Sequence, residues 1–385
     1  FKPLEGPGKD VNIDKIATTD SKVDVKMRLE EQNRNQLTFG AGVSQFDGFF
    51  GQLSFQTANF LGRGESLTVS LQGGQRAQNY TLGFSEPFLF DRNITGGLNL
   101  FRSDVRYIGQ FTQRSTGGTA TMGFPVGRGF MRMFTNYSYE RTRVTDVSTA
   151  YSDPRLLANN PFLRDSLNIG RGGERIISKV TPTLLYNSVD QPIFPTTGRR
   201  LSLSTDFAVL GGNTNFIKPS FEYAMFIRQN AKMSFGFRAQ AEYIRGIMGT
   251  SELPIFQRLF LGGEYTIRGY NIRTIGPSDL QTGLVLGGNK SLLFNVEQIF
   301  SLVGPVRLIL FYDAGQVRER GQSFAWKEDI LQLAPIDLPL FDPSQGILLT
   351  PKGFEREVLN LGQRSAFKTS TGAEIRFFMP VLNVP

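Results

Sequence analysis

Between Met233 and Tyr243 the side chains alternate without a break. Met233, Phe235, Phe237, Ala239, Ala241 and Tyr243 take one phase, and Ser234, Gly236, Arg238, Gln240 and Glu242 take the other. Successive side chains of an extended strand point to opposite faces, so the pattern demands a strand with one apolar and one polar face. Met131, Met133, Thr135, Tyr137 and Tyr139 repeat it against Arg132, Asn136, Ser138 and Glu140. Leu201, Leu203 and Phe207 repeat it against Ser202, Ser204 and Asp206. Strands of an ordinary soluble sheet run to about five or six residues. Longer staves of this kind, apolar outward and polar inward, fit the wall of a transmembrane barrel.

Composition points the same way. The sequence holds 42 glycines, 34 phenylalanines, 11 tyrosines and one tryptophan, with 20% charged residues and a mean hydropathy of -0.18. No run approaches the roughly 18 consecutive apolar residues of a membrane helix. A closed β-barrel is the other structure that satisfies every backbone polar group in lipid. The 385 residues suit one large barrel with a small appendage as well as two or three soluble domains.

There is no cysteine and no histidine, which excludes disulfides, thiolate and imidazole catalysis and the usual zinc sites. A serine–histidine phospholipase is excluded on that ground, and no metal or cofactor is expected. The formal charge of +8 and the pI near 9.6 raise the question of nucleic acid. Lys and Arg instead scatter through turns and inward strand positions without a run of five, which fits a charged lumen and a lipopolysaccharide-facing rim. Phe1-Lys2-Pro3 carries no signal-peptide pattern and reads as the middle of a longer or processed chain.

The connections are expected to alternate, with short turns on the periplasmic side and longer loops outside. The short set comprises 60–64, 87–92, 125–128, 229–231 and 301–305; the long set comprises 145–175, 245–290 and 318–365. Counting staves in this way gives about fourteen, the last from Phe367 to Phe378. Phe and Tyr, with the single Trp326, are expected to form the interfacial girdles. Residues 1–34 differ in character. Val23 to Glu31 alternates with charge on its polar face, as at the edge of a soluble α+β module, and the barrel is expected over 35–385.

Within the long loop 245–290 lies Thr266-Ile267-Arg268-Gly269-Tyr270, and further on come Glu297 and Asp313, each at an inward phase of its own strand. One cation and two carboxylates can therefore meet inside the barrel. Two other patterns carry no chemistry. Gly287-Gly288-Asn289-Lys290-Ser291 lacks the glycine that a phosphate loop has directly before its lysine, and a strand follows it rather than a helix. Glu86 and Asp91, with Pro87 between them, read as a rim turn rather than an acid–base pair.

Several segments in order carry a resemblance: residues 22–44, Asn59 to Glu65, Gly83 to Asn93, Ile193 to Leu201, Phe260 to Tyr270 and Phe311 to Val317. The chain resembles the BamA/TamA family of outer-membrane barrel-assembly proteins. The resemblance implies periplasmic POTRA modules, of which 1–34 is the end of one, ahead of a sixteen-stranded barrel. It also implies that Arg268 is the loop arginine held in the lumen by acids of strands twelve and thirteen, here Glu297 and Asp313. Relative to the family, a final hairpin after Phe378 is expected to be missing.

The first strand, Leu37-Thr38-Phe39-Gly40-Ala41-Gly42-Val43-Ser44, is weakened by Gly40 and Gly42, which add no packing. The glycines make room for lumenal loops, or they leave a poor edge that unzips to template an incoming strand; both readings stand together. The expected function is a nucleotide-independent assembly factor that folds and inserts client barrels through a lateral seam at this strand, with local bilayer thinning if its apolar band is short. Expected partners are client outer-membrane β-barrels, accessory lipoproteins or periplasmic chaperones, and the lipid and lipopolysaccharide of the membrane. A two-partner-secretion-type pore and a passive porin are the alternatives.

Overall fold

The computed structural model describes residues 35–377 apart from 63, 128, 161, 164–166, 168–173, 251–252, 305, 335–339, 343–346 and 350–357, together with Asp14–Ala17 and Val23–Lys26. The module expected over 1–34 lies outside the described residues except for those two short strands, which pair antiparallel. Residues 378–385, and with them the question of a final hairpin, also lie outside, as do Arg63, Arg128 and Pro305 of the expected turns.

The wall is a single antiparallel sheet of fifteen strands. Fourteen staves follow one another in space as in sequence: β1 Asn35–Ser44, β2 Gly48–Phe60, β3 Glu65–Gly74, β4 Ala77–Glu86, β5 Thr95–Tyr107, β6 Phe111–Pro125, β7 Met131–Thr145, β8 Arg175–Asn187, β9 Gly198–Ala208, β10 Phe216–Arg228, β11 Met233–Tyr243, β12 Lys290–Ser301, β13 Val306–Arg318 and β14 Lys368–Phe377. The two-residue strand Arg245–Gly246 pairs with β10 off this path. Among the described residues β1 and β14 each have one neighbour. The stave count agrees with the sequence reading, and the last stave falls inside the limits expected for it, with Phe378 outside the described residues.

The alternation sets the faces. On β1, Leu37, Phe39 and Val43 are exposed outward while Thr38, Gly40, Gly42 and Ser44 are half-buried on the lumenal side. The regular alternation of short and long connections does not hold in the first half of the barrel. There the outer connections 45–47, 75–76 and 108–110 are as tight as those at the opposite rim. The period-two pattern reports strands, not loops, and these turns need only a few residues to reverse the chain.

The long outer connections fold inward and make the core. Tyr151, Leu156, Leu163 and Leu167 of one loop and Ile255, Leu259, Leu261, Ile267 and Ile275 of another pack on Phe111, Ile177, Phe216, Leu293 and Val317 of the wall. The wealth of glycine and phenylalanine has a joint cause on the lumenal face. Phe50 faces Gly42, Phe134 faces Gly123, Phe226 faces Gly236 and Phe311 faces Gly372 across the ladder. At Gly42, Gly123 and Gly372 the ring lies where a side chain on the glycine would stand, 2.8, 2.6 and 2.9 Å from that position, whereas at Gly236 the Phe226 ring is in ordinary contact at 3.4 Å. Gly42 thus makes room for a neighbouring phenylalanine rather than for a loop, whereas at Gly40 the nearest atom is Gln52 Cβ at 3.9 Å.

Candidate functional site

The loop 244–289 descends into the lumen, and Thr266 to Tyr270 lies against β12, β13 and β14. Thr266 starts the turn: its hydroxyl accepts from Gly262 N at 2.9 Å, and its carbonyl accepts from Asn295 Nδ2 at 2.8 Å. Ile267 is fully buried and packs where Gly315 leaves space on β13. Gly269 has φ +84, a left-handed conformation that favours glycine, so the chain reverses directly after Arg268. Tyr270 then sits at the edge, its hydroxyl 3.5 Å from Thr369 O on β14.

Asp313 is completely buried and accepts four hydrogen bonds. Arg268 gives three of them, from its backbone N at 3.0 Å, Nε at 2.8 Å and Nη2 at 2.7 Å; Asn295 Nδ2 gives the fourth at 2.8 Å. The other fork of the guanidinium donates to Glu297 at 2.8 Å and to Glu374 at 2.9 Å. The plane of the guanidinium covers the Phe311 ring, 3.8 Å from its centroid, and that ring in turn covers Gly372. Burial disfavours charge on Arg268, but hydrogen bonding to Asp313 and attraction to Glu297 outweigh it and raise its pKa above the ordinary arginine value. A planar, bidentate cation is what such a set of acceptors requires.

The structure therefore brings Arg268, Glu297 and Asp313 together, and adds Glu374, which the sequence reading missed. Glu374 shares the inward phase of Ser370, Gly372 and Arg376, so the rule that found Glu297 and Asp313 applies to it too. Arg376 completes the network, 2.8 Å from Glu374 and 3.6 Å from Glu297. On its far side the loop reaches the β1–β2 turn. Gln45 Nε2 donates to Tyr270 O at 3.3 Å and to Asn271 Oδ1 at 3.0 Å, and Gln45 N donates to Glu264 at 3.4 Å. A single turn residue gives no sequence signal for such contacts. Gly40, Gly42 and Ser44 of β1 share with Arg268, Glu297 and Glu374 the lining of one lumenal cavity of about 1060 Å³.

Residues 59–384 match the Omp85 superfamily domain. The chain belongs to the Omp85 superfamily. It is 24% identical over 323 residues to the outer membrane protein assembly factor BamA of Nitratidesulfovibrio vulgaris, covering 83% of this chain and 39% of that protein. It is 27% identical over 317 residues to BamA of Neorickettsia risticii, covering 79% of this chain and 40% of that one. The chain thus spans about two fifths of the length of these curated relatives. Among solved structures, BamA from Haemophilus ducreyi lacking POTRA domains 1–3 superposes with a TM-score of 0.67 at 19% identity, covering 94% of this chain and 74% of that one. The Omp85 fold places the Arg268 network on the inner wall of a transmembrane barrel.

Proposed function

We propose that this chain is the membrane barrel of an outer-membrane protein assembly factor, which inserts client β-barrels without nucleotide, cofactor or covalent chemistry. The observation that supports this most is the reach of one loop: Arg268 holds Glu374 on β14 while Tyr270 and Asn271 hold Gln45 beside β1. The loop thereby touches β14 and the turn that follows β1, the two staves of the wall with a single neighbour among the described residues. A client strand adds to the edge of β1 by backbone hydrogen bonds, and burial of client backbone and apolar faces drives its insertion. The loop side chains that pack into the lumen favour this reading over passive diffusion. In this reading the chain sits in the outer membrane of a Gram-negative-type bacterium, joined to periplasmic modules that receive clients from chaperones or accessory lipoproteins.

Crosslinking tests it, and the absence of native cysteine keeps the background clean. Cysteine at Thr38 or Ser44 is expected to crosslink to the terminal strand of a client during assembly, whereas cysteine at Ser202 on β9 is not. Equal crosslinking at both places, or none at β1 while clients insert normally, contradicts the proposal.

A further inference from the structure

The outer wall between β7 and β12 carries a second feature, which rests on the barrel fold and not on the assembly function. Two prolines stand in the middle of central staves, Pro182 in β8 and Pro219 in β10. Proline has no N–H to give and is avoided in central strands. The β8–β9 pairing is interrupted between Val180↔Phe207 and Thr183↔Ser204. The β10–β11 pairing stops at Ser220↔Glu242 and resumes only at Ile217↔Arg245. Pro182 pairs with Thr135 on one side, and Thr205 pairs with Pro219 on the other. These compact side chains form one outward row, and they leave a dent in the wall.

The dent is a groove of about 640 Å³, within the roughly 300–1,000 Å³ range of ligand pockets. Its floor is the next outward row, Met133, Leu184, Leu203, Phe221 and Ala241, which pair in that order across β7 to β11. At its outer rim stand Tyr243 and Lys290, paired with each other and therefore both outward, and Phe324. The Lys290 ammonium lies 5.8 Å from the Phe324 ring centroid. Among the described residues no carboxylate pairs with it, whereas the lumenal Lys179 and Lys218 pair with Asp206 and Glu242. An outward cation at the membrane rim, above an apolar groove, lacks only an anion attached to a hydrocarbon chain.

We propose that this groove binds one lipid with an anionic phosphate head group, its phosphate on Lys290 and an acyl chain over Phe221 and Leu203 towards Met133. The row of Pro182, Thr205 and Pro219 gives the chain its space, and Lys290 selects the head group. The site differs from a general lipid annulus in needing both the charge and the hollow.

Trp326, the only tryptophan of the sequence, stands two residues beyond Phe324 and reports on occupancy. The protein is reconstituted in dibrominated phosphatidylcholine, which quenches Trp326, and unbrominated phosphatidylglycerol or phosphatidylcholine is titrated in. Phosphatidylglycerol is expected to relieve quenching with about fivefold preference, the size expected of one basic residue at an anionic surface. Lys290→Gln should abolish that preference, and Lys218→Gln, in the lumen, should leave it unchanged. Thr205→Leu should abolish it as well, by filling the hollow while Lys290 keeps its charge. Equal relief by the two lipids in the parent, or a preference that survives Lys290→Gln or Thr205→Leu, overturns the proposal.

Discussion

Arg268 and Arg273 flank Tyr270 in the same loop, the first half-buried and the second buried, yet their surroundings have opposite chemistry. Arg268 meets three carboxylates, from Asp313, Glu297 and Glu374. Arg273 sits among rings, 3.7 Å from the centroid of Phe260, 4.7 Å from Tyr107 and 5.6 Å from Phe111. Its Nη2 donates to Ile255 O at 3.0 Å. Burial pulls its pKa below the ordinary arginine value, with attraction to Tyr107 and Tyr151 opposing. The difference separates position from packing. A buried ion-pair network adds little net stability over an apolar replacement, but it admits one geometry, and loss of one partner strands the others. An aromatic cage accepts a cation or an apolar group and is left intact by either.

The largest effect is therefore expected at Arg268. Arg268→Ala leaves the fully buried Asp313 without its main partner and should destabilise the barrel by about 3–5 kcal/mol, read from urea midpoints in bilayers. Arg268→Lys should recover only part of this, because a single ammonium cannot fork between carboxylates. Arg273→Leu should cost about 2 kcal/mol or less, the scale of a desolvated cation–π contact, since leucine suits the same cage. Equal losses from Arg268→Ala and Arg273→Leu would erase the distinction between the two. The smallest effect belongs to Gln45→Ala, about 1 kcal/mol for lost polar contacts. Its informative readout is hydrogen exchange, which should rise at the β1–β2 turn and not at β12 or β13. Uniform exchange across the wall would show that Gln45 does not link the loop to β1.

How much of this was legible in the sequence follows from what period-two alternation encodes. It fixes which residues share a face, so Glu297 and Asp313 were found on the inward phase. Applied to Lys368–Phe377, it would have found Glu374 and Arg376 as well. Alternation is silent on what crosses the lumen. The cage of Arg273 draws Tyr107 and Phe111 from distant staves and Phe260 from its own loop, and in a chain with 34 phenylalanines no one of them stands out. The tight outer turns at 45–47, 75–76 and 108–110 were missed because the expectation came from a general barrel pattern rather than from those residues. The pairing of Phe50 with Gly42, and of Phe311 with Gly372, depends on register, which one strand read alone does not reveal.

The central claim is that Arg268 fixes the loop in the lumen and that assembly depends on it. Limited proteolysis of residues 244–289 in the bilayer-embedded protein, run beside client assembly, tests both parts in one preparation. Cleavage follows the population of the opened loop, so Arg268→Ala is expected to be cut more than about tenfold faster than the parent and to lose assembly, while Arg273→Leu changes neither as far. An Arg268→Ala protein that is cut no faster than the parent and assembles clients at the parental rate would contradict the account.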